Sequence, residues 1–267
     1  MSNTETVAAP RTRVTEHPAG DIWWVDLGSP DIEASKMFYG DLFGWTFEQG
    51  EFGYNLAHKG SDITAGVMQQ SDEMKAAGAP CVWSAYINVD DIKKTVATAT
   101  SLGATVIVEP MEVSDSGWMA FVQDPSGAAI GLWQPRNHTG ATLFNSSGAF
   151  SWAELRTHDV PAAKAFYTKL FGWTVEATDM GGSPYTGFMH NDNPAAGLSE
   201  LAGAELANVP AHWAITFGVD DVKVALDVVA RHGGKVTYGP VDLRWGTLYG
   251  IVDPTGVALN IIGFRQA

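Results

Sequence analysis

Residues 22–28 read IWWVDLG, and from Trp23 onward the chain alternates with a period of two. Such alternation marks a strand with one face buried. Trp23, Val25 and Leu27 form one set, and Trp24, Asp26 and Gly28 the other. From Asp31 to Phe43 the period becomes helical, with Ile32, Phe38, Leu42 and Phe43 on one side. Ser29-Pro30 opens that helix and Gly44 stops it. Short strands follow near 45–51, 54–58 and 63–69. The order then restarts with a strand at 82–88 and a helix over 91–102, where Ile92, Val96, Ala99 and Leu102 share a face and Gly103 ends the turn. Strands near 105–113, 118–123 and 128–133 complete the set. The pattern is strand, helix, three strands, performed twice.

The whole arrangement is then repeated. FYGDLFGWTFE at 38–48 returns as FYTKLFGWTVE at 166–176. Trp24-Val25-Asp26-Leu27 answers to Trp152-Ala153-Glu154-Leu155, and Asp124-Pro125-Ser126-Gly127 to Asp253-Pro254-Thr255-Gly256. The chain is therefore two copies of one module of about 125 residues. The divisions are a tail at 1–19, a first module at 20–134, a polar, turn-rich linker at 135–148 and a second module at 149–267. The repeated FYxxLFGW reads as framework: Phe38 and Leu42 lie one helical turn apart, as do Phe166 and Leu170, and each glycine caps its helix.

Charge narrows the partners. The net charge is −14 and the pI about 4.7, which disfavours nucleic acid and anionic membranes. No apolar run is long enough to span a bilayer, and the first residues carry no apolar leader. The single cysteine, Cys81, rules out an intrachain disulfide, and the expected location is cytoplasmic. Ten tryptophans call for a large core or an aromatic-lined cavity.

Four βαβββ units, FYxxLFGW after the first strand and DPxG before the last resemble the vicinal oxygen chelate superfamily. It includes glyoxalase I, extradiol ring-cleaving dioxygenases and the bleomycin- and fosfomycin-resistance proteins. The tandem form is similar to an actinobacterial group of two-module glyoxalase-like or hydroxylase-like proteins. The resemblance implies an α+β fold in which each pair of units curls a mixed sheet into a cup, with helices outside and ligand inside. It also implies that the pairing made by dimerisation in shorter relatives is already present here, so a monomer or homodimer is expected.

The resemblance places metal ligands at Trp24 and Trp152 on the first strands, Ser84 and Ala214 on the fifth, and Gly131 and Asn260 on the last. None suits a divalent ion, so neither metal nor cofactor is expected. A displaced site on Glu154 and His212 would supply only two ligands. His58, His138, His158, His190 and His232 read as surface histidines.

Strand alternation instead predicts an aromatic slot. Trp24, Tyr86, Trp133 and Trp152 face the cups, and Trp23, Trp83 and Trp213 face the helices. Asp26, Ser84, Arg156 and Asn260 add polar anchors, as a small-molecule site needs. The resulting expectation is metal-independent capture of a hydrophobic aromatic natural product or antibiotic, as the bleomycin-resistance branch does. The alternative is a glyoxalase-like lyase, isomerase or hydroxylation helper with Glu154 or His212 as acid/base.

Overall fold

The computed structural model describes residues 13–14, 17–179 and 184–265. The first module contains β1 (Ile22–Ser29), α1 (Ile32–Phe43), β2 (Thr46–Gln49), β3 (Tyr54–Lys59), β4 (Asp62–Gln69), the short α2 (Asp72–Ala76), β5 (Trp83–Asn88), α3 (Ile92–Ser101), β6 (Thr105–Val113), β7 (Gly117–Gln123) and β8 (Ala129–Pro135). The second contains β9 (Phe150–Thr157), α4 (Val160–Phe171), β10 (Thr174–Asp179), β11 (Pro184–His190), β12 (Asn193–Glu200), β13 (His212–Val219), α5 (Val222–Arg231), β14 (Lys235–Leu243), β15 (Gly246–Val252) and β16 (Ala258–Phe264). Each module is one eight-stranded mixed sheet, in the orders β2-β3-β4-β1-β5-β8-β7-β6 and β10-β11-β12-β9-β13-β16-β15-β14. Helix α2 is an addition to the expected pattern; 3-10 turns lie at Glu51–Gly53, between β2 and β3, and at Ala204–Leu206, between β12 and β13.

Local chemistry sets the helix ends. The carboxylates of Asp31, Asp91, Asp159 and Asp221 accept from backbone N–H groups of the first turns of α1, α3, α4 and α5. Asp31, rather than Ser29-Pro30, is thus the residue that opens α1. Gly44 and Gly172 close α1 and α4 in the left-handed conformation, with φ of 68° and 70°.

The apolar sides of both sheets and the helices over them form one continuous core spanning the two modules. Phe217 on β13 packs on Trp83, Phe43 and Trp45 of the first module. The repeated segment does more than cover its own sheet. Tyr39 of the first FYxxLFGW donates to Asp253 of the second DPxG at 2.9 Å, and Tyr167 of the second donates to Asp124 of the first at 2.8 Å. Trp45 donates to the Gly148 carbonyl just before β9, and Trp173 to the Gly20 carbonyl just before β1. Each copy of the motif therefore fastens onto the other module in a reciprocal clasp. Among the described residues no helix is long and apolar enough to cross a membrane.

Candidate functional site

The faces of the sheets follow the expected alternation at most positions. Val25, Leu27, Trp83, Ala85, Ile87, Ile130 and Leu132 lie in the helix-side core, as do Trp213, Trp45 and Trp173. Trp24, Tyr86 and Trp133 form a separate cluster on the concave side. Trp23 departs from expectation and belongs to that same concave cluster. The reason is a bulge. Ile22 pairs with Ile87 and Trp24 with the adjacent Tyr86, so Trp23 is an extra residue on β1 and is turned over to the cup. The second module repeats the bulge, since Phe150 pairs with Phe217 and Trp152 with Thr216, but there the extra residue is Ser151.

The two cups share one polar device. In the first, the Trp24 indole donates to the Tyr54 hydroxyl at 2.9 Å, and Tyr54 donates to Asp26 Oδ2 at 3.2 Å. Tyr86 donates to the same oxygen at 2.9 Å. In the second, Trp152 donates to Tyr185 at 2.9 Å, and Tyr185 bonds to Glu154. Each tyrosine lies one strand beyond β1 or β9's neighbour and reaches back across a glycine, Gly66 or Gly197. A Cβ at either glycine would collide with the tyrosine oxygen. Gly197→Ala and Gly66→Ala are each expected to displace that hydroxyl and lower stability by about 1–3 kcal/mol, read as a fall in the urea midpoint. An unchanged midpoint would mean the chain of bonds does not form.

Beyond this device the cups diverge. Asp26 is buried, and burial lifts its pKa to about 7 although the hydrogen bonds from Tyr86 and Tyr54 pull the other way. Trp24, Tyr86 and Trp133 are 3–6% exposed and packed on one another. The linker closes the cup: the imidazole of His138 stands edge-on to Trp24 at 4.5 Å and packs on Trp23 and Trp133. Burial drives its pKa down to about 4, with His17 nearby acting in the same sense. His138 is thus an interior residue, not a surface one. His58, His190 and His232 are also half-buried, beside Glu48, Asp21 and Asp41, while His158 is exposed.

The second cup is more polar and less buried, with Trp152, Glu154, Arg156, Tyr185 and Tyr238 each partly exposed. Glu154 Oε1 accepts from Arg156 Nε at 2.9 Å and from Ser199 at 3.0 Å. Arg156 also donates to Tyr238 at 2.9 Å and lies over its ring, and Tyr238 donates to Asn260 at 2.6 Å. Asn260 continues to Thr216. Burial opposes the charge on Arg156, but Tyr238 and Glu154 outweigh it and move its pKa up. His212 pairs in register with Arg156. Its Nδ1 lies 2.8 Å from the Pro210 carbonyl, which can only accept, so Nδ1 donates there and Nε2 is the ring nitrogen left for another partner. The structure thus brings together Trp152, Glu154, Arg156 and Asn260 in one network, and Trp24, Asp26, Tyr86 and Trp133 in the other cup; Ser84 pairs in register with Asp26. Tyr54, Tyr185, Tyr238 and Ser199 were not expected.

Of the positions that the resemblance gives to metal ligands, Trp24 and Gly131 share a row across the first sheet through Tyr86, and Trp152 and Asn260 share one across the second through Thr216; Ser84 and Ala214 lie outside these rows, paired with Asp26 and Glu154. Gly131 lies under the Tyr86 ring, where a side chain would collide. Among the described residues no three His, Cys, Asp or Glu side chains converge. These donors do not fit a divalent ion. Two open clefts, of about 490 and 330 Å³, lie instead beside the N-termini of α5 and α3, outside the cups.

The family model of the glyoxalase/bleomycin resistance protein/dioxygenase superfamily matches residues 22–132 and again 149–261. The chain belongs to this superfamily. CFP32 of Mycobacterium tuberculosis, whose given name is a provisional glyoxylase, is 32% identical over 93% of this chain and 96% of its own. The anthracycline biosynthesis protein DauV of Streptomyces sp. strain C5 is 31% identical over 95% of this chain and 97% of its own. Among solved structures, the 2,3-dioxygenase LapB from Pseudomonas sp. KL28 superposes with a TM-score of 0.63 at 14% identity, covering 95% of each chain. That likeness concerns the fold. The two matched stretches coincide with the two modules.

Proposed function

We propose that the second cup binds a planar aromatic small molecule bearing phenol or quinone oxygens, and that it does so without a divalent ion. The carrying observation is the partly exposed network Glu154–Arg156–Tyr238–Asn260 set against the aromatic wall of Trp152, Tyr185 and Tyr238. Arg156 uses Nε and one terminal nitrogen within this network and offers its remaining N–H groups to an oxygen of the ligand. The rings supply rigid faces for stacking. Two relatives named for anthracycline biosynthesis support an aromatic ligand of that kind. Capture needs no nucleophile and sequesters the compound stoichiometrically.

A second reading, turnover, is favoured by one observation: His212 Nε2 is left over by the Pro210 contact, on the residue that pairs in register with Arg156. Glu154 suits a base less well, because Arg156, Ser199 and Tyr185 already occupy it as acceptor. Under this reading His212 takes a proton from a phenol or an acidic C–H, and Arg156 faces the anion left behind.

The deciding experiment is a titration with anthracycline-type quinones, followed by tryptophan fluorescence, with the compound recovered and weighed by mass spectrometry. Quenching with unchanged mass and an unchanged proton NMR spectrum of the recovered compound is expected for capture. Trp152→Ala should weaken affinity about tenfold, or about 1.4 kcal/mol, and Glu154→Gln should leave the recovered compound unchanged. A changed mass or a changed spectrum that reverts in His212→Ala would establish the second reading. Affinity unaltered by Trp152→Ala would exclude this cup as the site.

A further inference from the structure

The first cup is filled by the chain itself, and the fit of that filling is poor. His138 occupies a box made by Trp23, Trp24 and Trp133, with ring centroids 5.4, 4.5 and 5.6 Å away. Behind it, Gly140 crosses the Trp23 ring so closely that a side chain there would collide. Yet the Trp23 indole N–H and His138 Nε2 are both buried and neither has a partner. Buried polar groups in folded proteins are almost always satisfied, so a segment that leaves two of them idle is an imperfect tenant. Its attachments are mixed: the His138 N–H donates to the Ser116 carbonyl at 3.1 Å and the Ala141 carbonyl lies 2.9 Å from His17 Nε2, but two others are long. The Ala141 N–H reaches the Trp23 carbonyl at 3.4 Å, and the Trp133 indole reaches the His138 carbonyl at 3.3 Å. The imidazole is neutral, its pKa held near 4 by burial, so no ion pair fastens it. The firmest anchor is the Thr142 N–H to the Ile63 carbonyl at 2.8 Å, at the far end of the segment.

We infer that the first cup is a second binding site for a planar ring carrying a carbonyl oxygen, and that residues 138–141 are a displaceable plug seated in it. The ring replaces the imidazole between the three indoles, and its carbonyl accepts the idle Trp23 N–H. Ala141 and His138 lift away while Thr142 serves as the hinge. The inference extends the reading of the second cup, because both take the same class of ring, but it rests on different residues.

The test uses the full chain and 1,4-dihydroxyanthraquinone as probe. Binding stoichiometry is measured by equilibrium dialysis for the parent and for His138→Gly, which empties the box without touching the second cup. Hydrogen exchange at the His138 and Ala141 amides is followed in the parent as probe is added. The expected result is one equivalent at low probe for the parent, two for His138→Gly, and exchange at both amides at least tenfold faster once probe exceeds the first equivalent. One equivalent in both proteins with unaltered exchange would overturn the inference and leave the second-cup reading intact. None in the parent and one in His138→Gly would support the plug and remove the second cup. None in either would remove both. If His138→Gly does not fold, exchange in the parent decides alone.

Discussion

Asp26→Asn should change how stability depends on pH more than any other substitution in the cups. The Asp26 carboxyl is buried with a pKa of about 7 in the folded protein, against 3.8 for the unfolded chain. Folding therefore favours its protonated form. The benefit is whole below about pH 4 and is lost as pH rises toward 7 and beyond, because the unfolded state ionises first and the folded state must then carry a buried charge. One pKa unit corresponds to about 1.4 kcal/mol, so the parent should lose on the order of 3–4 kcal/mol across that window from this residue. Asparagine does not titrate, and its carbonyl can still accept from Tyr54 and Tyr86. Urea midpoints at pH 4.5, 6 and 8 should therefore diverge, with Asp26→Asn gaining on the parent at each step. Parallel curves would mean that Asp26 is solvated.

The reciprocal clasp should produce the second large effect. Asp253 is 2% exposed and accepts from Tyr39, from the Thr255 hydroxyl and from the Thr255 and Val257 backbone. Tyr39 in turn accepts from the Trp83 indole at 3.0 Å. Asp253→Ala strands buried donors at both ends and should cost about 3–5 kcal/mol; Tyr39→Phe removes one bond to a charged group and should cost about 1.5–3 kcal/mol. The two effects should fall short of additive by about 1–3 kcal/mol. Tyr167 and Asp124 form the same pair from the opposite side, so a second cycle there provides an internal replicate. Strict additivity in both cycles would mean that the modules are joined by apolar packing alone.

The fold could be read from the chain because its signals are local and reinforce one another. Period-two runs at β1 and β5, the aspartates before each long helix and the glycines after α1 and α4 each specify a single element, and duplication states every one of them twice. The cups were legible where alternation is unbroken, as at Trp24–Asp26 and Trp152–Glu154–Arg156. It failed at Trp23 because a single inserted residue reverses the face, and nothing in IWWVDLG marks the insertion. Tyr54 and Tyr185 were missed for another reason. Each acts on a carboxylate across an intervening strand, a reach that depends on glycine at 66 or 197. A signal existed, since Tyr54 and Ala65-Gly66 recur as Tyr185 and Ala196-Gly197 at one common offset. His138 lies in a turn-rich stretch with no period, where composition speaks of solvent and only the tertiary fold brings in the tryptophan box.

The bulge on β1 and β9 bears on how two copies of one ancestor came to differ. Both strands carry the same extra residue, so the backbone opening was inherited by both; what separates them is the side chain at that place, tryptophan at 23 and serine at 151. An indole there meets the His138 segment and leaves that half closed at rest. A hydroxymethyl group leaves its twin room for a guest without displacing anything. One inherited irregularity, occupied differently, is enough to set one half closed and the other open, and exchanging Trp23 with Ser151 would ask whether that difference can be reversed.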